Sequence, residues 1–333
     1  MRILIVKIGA IGDVVMSLPM LSFLKERYPN CKITVVCGQI VAPLFAQTNL
    51  VDEVIIVAEK RLLAGNLLMK SFSLIGVWIR LSLRKFDLVL TAHPDWRYRL
   101  LSLFVRAKEK RSWDRFKSPI MPIPGRYHAA EYLRLASGLE QPTVKFPEIE
   151  TPTVVSFDFP FVAIAPGGAR NTLAENPLRR WPIDRYATLI AKFVEQSIQV
   201  VVTGADSDAW VRDHLPNGQY IDLIGKLSLL DVIGVFKQCD LLVTHDSGPL
   251  HLAKLAKCPV LALFGPTNPA EFTSPEESIE VIWGGRGLFC RPCYNGKNFA
   301  PCSSNQCLQL VSVEQVFQKA LVKLEARKLP SLV

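Results

Sequence analysis

Near the amino terminus, Lys7-Ile8-Gly9-Ala10-Ile11-Gly12-Asp13 sets two glycines ahead of a carboxylate. Gly9 and Gly12 let the backbone approach a ligand closely, and a helix opening there presents N–H groups to an anion. Asp13 reads either as the cap that a helix start favours or as a base placed to take a proton from a hydroxyl. A nicotinamide-binding turn would need G-x-G-x-x-G and an acidic residue closing the second strand. Here the first glycine is missing and the second strand closes on Val36-Cys37-Gly38-Gln39, which counts against a dehydrogenase.

Four further polar groups follow apolar runs in the second half. Pro166-Gly167-Gly168-Ala169 leads to Arg179-Arg180-Trp181-Pro182, and a glycine turn backed by arginine suits a diphosphate because the guanidinium is a planar, charged donor. Thr203-Gly204-Ala205-Asp206 offers a carboxylate to a ribose diol, with a solvated turn as the alternative. In Thr244-His245-Asp246-Ser247-Gly248-Pro249-Leu250-His251, a strand end meets a helix N-terminus, a phosphate-binding geometry with His251 one turn in. Phe264-Gly265-Pro266-Thr267 closes the next strand with a hydroxyl-bearing turn.

Two other groups stand apart. Cys290, Cys293, Cys302 and Cys307 are spaced C-x2-C-x8-C-x4-C, as in a tetrahedral zinc or iron knuckle, or they are free thiols of an irregular loop. Cys31, Cys37, Cys239 and Cys258 are scattered and read as core. His128 and Glu131 open a helical stretch, where they border a second substrate or cap the helix.

These residues need strand ends to hold them. Ile3–Val6, Ile33–Val36, Val54–Val57 and Leu88–Leu90 are short apolar runs of the kind buried on both faces of a parallel sheet, with one helix expected over Asp13–Tyr28. Phe161–Ala165, Val200–Thr203, Asp222–Ile224, Leu241–Thr244 and Val260–Phe264 repeat the scheme, with helices at Ile183–Gln196, Leu229–Gln238 and Gly248–Ala256. The expected fold is therefore α/β: two doubly wound domains, 1–150 and 151–333, joined at the Pro-rich stretch Gln141–Pro160. In such sheets ligands bind beyond the carboxyl ends of the strands.

Composition agrees with a globular chain: of 333 residues, 49% are apolar and 21% charged. The net charge of +9 suits an anionic nucleotide or lipid headgroup, and the dispersed Lys and Arg show no nucleic-acid motif. The early apolar run is broken by Lys7 and Asp13, so it reads as a first strand rather than an export signal, and the expected location is cytoplasmic with reduced thiols. Leu62–Leu83, flanked by Lys60, Arg61, Arg84 and Lys85, is either a crossover helix or one that lies on a membrane surface.

Taken together, K-x-G-A-I-G-D, P-G-G with R-R-W-P, T-G-A-D, H-D-S-G-P-L-H and F-G-P-T resemble glycosyltransferase family 9, the bacterial ADP-heptose:lipopolysaccharide heptosyltransferases. The resemblance covers nearly the whole chain in order. It implies a GT-B fold, two Rossmann-like domains facing a cleft, with the acceptor on the N-terminal domain, the ADP-sugar on the C-terminal one, and a terminal helix able to pack back on the first. It implies inverting transfer to a hydroxyl of the lipopolysaccharide inner core at the cytosolic face of the inner membrane. Asp13 would be the base, and Lys7 and His128 would lie on the acceptor side. The donor would be held by Gly9, Gly12, Gly167, Arg179 (commonly Lys in the family), Asp206, Asp246, Ser247, Gly248, His251 and Thr267. Catalysis would need no cofactor, and no metal-binding D-x-D motif is assigned. Certain relatives that heptosylate proteins hold iron at a similar cysteine cluster, so a protein acceptor is the near alternative; a nucleotide-binding module without catalysis is the remote one.

Overall fold

The computed structural model describes residues 1–328 apart from 94, 114–121, 141, 153–154, 171–174 and 296–297. Two compact units result, the first spanning Met1–Glu150 and the second running from Thr151 onward.

The first unit runs β1 (Arg2–Val6), α1 (Ile11–Ser17), α2 (Pro19–Arg27), β2 (Lys32–Gly38), α3 (Ala42–Ala46), β3 (Glu53–Val57), α4 (Glu59–Ala64), α5 (Leu67–Ser82), β4 (Lys85–Thr91), β5 (Arg106–Ser112) and α6 (His128–Ser137). Its strands pair in parallel in the order β3-β2-β1-β4-β5. Where β1 meets β4 the chain order reverses, so the loops after these two strands flank a crevice.

Two readings change here. The single helix expected over Asp13–Tyr28 is two, because Leu18 caps α1 and Pro19 opens α2. Proline has no N–H to continue a helix, yet it suits the first position of a new one. The apolar segment Leu62–Leu83 also divides, at Gly65 and Asn66; the Asn66 side chain accepts from Met69 N at 2.9 Å and starts α5. Val77 and Leu81 of α5 are buried, whereas Leu68, Phe72, Ile75 and Ile79 are exposed, so the helix packs one face and leaves an apolar one outside.

The second unit runs β6 (Phe161–Ala165), α7 (Ile183–Glu195), β7 (Gln199–Val202), β8 (Ile221–Asp222), α8 (Leu229–Gln238), β9 (Leu241–His245), α9 (Gly248–Ala256), β10 (Val260–Phe264), α10 (Pro269–Phe272), β11 (Ile279–Trp283), α11 (Gln306–Gln309) and α12 (Val313–Lys328). The sheet is again parallel, ordered β11-β10-β9-β6-β7-β8, and its reversal lies between β6 and β9. Every residue of β6, β9 and β10 is buried, which is what unbroken apolar runs imply for central strands. The terminal helix α12 packs within this unit, against α7, β9 and β10, with Phe193 and Phe317 rings 5.4 Å apart.

Candidate active site

At the carboxyl end of β1, Lys7 turns inward and is fully buried. Its ammonium donates to the Tyr132 hydroxyl at 2.9 Å and lies 3.6 Å from Asp13 Oδ2. Burial lowers the Lys7 pKa, and the Asp13 charge opposes that fall. The Asp13 side chain itself keeps 39% of its surface open, so it reaches solvent while its counter-ion does not. The cap of α1 is Ala10, and Asp13 stands in the helix's first turn, where the helix dipole favours a carboxylate.

Three groups that the sequence reading passed over complete this cluster. Tyr132 lies one turn beyond His128 on α6, and burial raises its pKa well above the usual phenol value, so it stays a protonated hydroxyl. His93 follows β4 and stacks on Tyr98 with ring centroids 3.7 Å apart. Burial first, and Lys7 second, push its pKa down to about 3, so the imidazole is neutral. Glu59 packs over two glycines: a Cβ on Gly9 would fall 2.6 Å from its Oε1, and one on Gly38 would fall 2.9 Å from its Oε2. Gly9 thus lets the Glu59 carboxylate lie against the turn, and Gly12 sits in the first turn of α1. His128, half-buried, is the first residue of α6. Glu131 is structural: it pairs with buried Arg134 at 2.7 Å and accepts from Ile123 N at 2.9 Å. The strand-end rule alone could have drawn attention to His93, and helical spacing from His128 to Tyr132.

The second unit gathers its polar groups at the ends of β6, β7, β9 and β10. Gly168 adopts a left-handed φ of +76° and brings the turn after β6 against Ser247, 3.3 Å from where its Cβ would stand. Ser247 occupies the N-cap position of α9 with its hydroxyl turned back to His245 O, so Asp246 is not the cap. Instead Asp246 is buried, accepts from Thr267 Oγ1 at 2.7 Å and faces Arg179 Nε at 3.6 Å. Among the described residues, Arg179 Nε and Asp246 Oδ1 are buried without a hydrogen-bond partner. His251 is buried on α9, 6.1 Å ring to ring from Phe272. Burial pushes Lys254 down to about 8, and its ammonium fixes this corner by donating to Phe272 O at 2.7 Å and to Glu277.

Asp206 is exposed at the start of the turn after β7, in a space that Gly225 leaves open. The anchoring carboxylate is Asp208, which the sequence reading missed. Its Oδ1 accepts from Gly168 N and its Oδ2 from Ala205 N, both at 2.9 Å, and it fills the space beside Gly167. Asp206 and Asp208 do stand at D-x-D spacing, a correction to the sequence reading; both Asp208 oxygens are taken by the backbone. Arg180 also turns inward to hold Gly168 O, with Nε at 3.0 Å and the terminal nitrogen at 2.6 Å.

All four of Cys290, Cys293, Cys302 and Cys307 line one pocket with Leu178 and Pro266. Among the described residues, however, no three His, Cys, Asp or Glu side chains stand close enough to hold a metal ion, so the expected metal set is not preformed. Burial raises the pKa of Cys293 and of Cys307, which keeps both as thiols. Among the described residues, no helix is long and apolar enough to cross a membrane.

Two parallel sheets, one reversing between β1 and β4 and the other between β6 and β9, make the chain a protein of the GT-B fold. The profile for "Glycosyltransferase family 9 (heptosyltransferase)" matches residues 76–302, and the chain belongs to that family. It is 27% identical over 323 residues to the lipopolysaccharide heptosyltransferase 2 of Salmonella typhimurium, covering 83% of this chain and 85% of that one. Among solved structures, a family 9 glycosyl transferase from Veillonella parvula superposes with a TM-score of 0.77 at 21% identity, covering 98% of this chain and 97% of that one. The ADP-heptose lps heptosyltransferase II of E. coli gives 0.74 at 21% identity, covering 99% and 100%.

Proposed function

We propose that this enzyme transfers a heptosyl residue from ADP-heptose to a hydroxyl of the lipopolysaccharide inner core, on Kdo or on a heptose already in place, with inversion at the anomeric carbon. The observation that carries the reading is Asp13: a carboxylate open to solvent yet held by a fully buried ammonium at a strand end. A module that only binds nucleotides has no use for such a base, whereas hydroxyl attack on an anomeric carbon requires one. Asp13 takes the acceptor proton, the hydroxyl oxygen bonds to the anomeric carbon, and the bond to ADP breaks on the opposite side. The departing diphosphate is stabilised by the N-terminus of α9 and by Arg179, with Asp206 on the ribose. Lys7, Tyr132 and neutral His93 orient the base and the acceptor.

The test is to incubate the enzyme with ADP-β-heptose and lipid A bearing Kdo, then read the product's anomeric configuration by NMR. An α-linked product is expected; a β-linked one would overturn single displacement. Transfer to a polypeptide but to no glycan would replace the acceptor, which is the reading that the cysteine loop favours. In that loop, four soft donors on one pocket take a structural zinc or iron once drawn together, and no step of the transfer runs through the ion.

We also infer that the apolar face of α5 rests on the anionic cytosolic leaflet, where a lipid-linked acceptor resides. Phe72 is 73% exposed and Ile79 68%, with Leu103 and Phe104 exposed beside them on a segment that Trp78 grips through the Phe104 ring. α5 carries Lys70 and Arg80 and no acidic residue. Vesicles containing phosphatidylglycerol should co-float with the enzyme, and Phe72→Asp with Ile79→Asp should weaken this at least ~10-fold, since each buried side chain contributes about 1.5–3 kcal/mol. Equal flotation of the double variant would sink the inference.

A further inference from the structure

The loop after β11 folds its tip into a short hairpin that reaches the donor side. Tyr294 and Phe299 form an antiparallel bridge, Ala300 N donates to Cys293 O at 3.1 Å, and the two rings pack 4.7 Å apart. The hairpin hangs from the turn after β10: Cys293 N and Tyr294 N both donate to Pro266 O, at 2.9 and 3.2 Å. The next residue, Thr267, is the one that holds Asp246.

Arg179 is fixed in an unusual way for a half-buried guanidinium. Its ion pair to Asp246 is 3.6 Å long, beyond a good hydrogen bond, and its Nε has no hydrogen-bond partner among the described residues. What surrounds it is aromatic. The guanidinium carbon lies 5.1 Å from the Tyr294 ring centroid, 5.7 Å from that of Phe299 and 5.8 Å from that of Phe272. Ring faces attract a guanidinium without satisfying its N–H groups, so they hold the side chain while leaving its donors for an anion. Tyr294 and Phe299 are only half-buried, so core packing alone does not account for both rings turning to one cation.

We propose that Tyr294 and Phe299 are positioning residues that cage Arg179 for the donor diphosphate, making the tip of the cysteine loop part of the donor site. This rests on the reading of Arg179 as a diphosphate ligand. The test uses ADP as the probe, titrated calorimetrically into the full-length enzyme. Tyr294→Ala and Phe299→Ala should each weaken ADP binding about five- to tenfold, and Tyr294→Phe should bind as the parent does. In an Arg179→Ala background the ring substitutions should have no further effect, and in turnover they should raise the donor KM more than they change kcat. Tyr294→Leu keeps apolar bulk without a ring face, so it separates caging from packing if the alanine variants fold poorly. Parent-like binding by Tyr294→Leu, or an undiminished loss in the Arg179→Ala background, would overturn the cage while leaving Arg179 in place. Unchanged ADP affinity in Arg179→Ala alone would instead remove Arg179 from the diphosphate, and the cage with it.

Discussion

Asp13→Asn should lower acceptor-dependent ADP release at least ~100-fold, in line with the 10²–10⁴ that a positioned base contributes. Donor affinity should stay near that of the parent, because the phosphate ligands proposed here belong to the second unit. Asparagine keeps the shape of the side chain but cannot take the hydroxyl proton. The substitution also strips Lys7 of its counter-ion, and a fully buried ammonium without one destabilises the fold. A thermal melt and an ADP titration must therefore accompany the rate. A variant that is folded, binds ADP and turns over within ~10-fold of the parent would end the general-base assignment.

A second large effect is expected at Asp208, two residues from Asp206, which the sequence reading did not name. Asp208→Ala leaves Gly168 N and Ala205 N, both only part-buried, without their carboxylate acceptor, at about 0.5–1.5 kcal/mol each. We expect a loss of about 1–3 kcal/mol in denaturant unfolding, with weakened ADP binding because the turns after β6 and β7 both slacken. Asp206→Ala, on an exposed side chain, should change stability by less than ~0.5 kcal/mol while raising the donor KM. If the two substitutions cost equally in stability, the division of roles between them is wrong.

The contrast shows what was legible from the residues. Strand ends could be placed because central parallel strands are nearly continuous apolar runs, and β6 and β10 coincide with the runs read in the sequence. The polar residues after them followed. What stayed hidden was which way each side chain turns. Asp206 and Asp208 differ by two positions in one 3-10 turn, and only the backbone's course sends one to solvent and the other under Gly167. Likewise Arg179 and Arg180 are adjacent, yet one enters an aromatic cage and the other braces Gly168 O. Lys7 looked like an interruption of an apolar run, because the partners that make its burial tolerable, Tyr132 and Asp13, come together only in the fold. The glycosyltransferase motifs supplied the chemistry without the geometry.

β5 was invisible for a different reason, and it bears on how the enzyme survives at high concentration. Its sequence, Arg-Ala-Lys-Glu-Lys-Arg-Ser, is five-sevenths charged, the opposite of an apolar run, and it forms the outermost strand beside β4. An unpaired strand edge is a template for another chain, and lysine-rich edges discourage that pairing by forcing like charges and their hydration shells together. The far edge of the second sheet, β8, is only two residues long and gives an incoming strand almost nothing to pair with. One edge of each sheet thus ends in a strand that discourages propagation. Neutralising Lys108 and Lys110 would remove that repulsion from the β5 edge and favour its pairing with another chain.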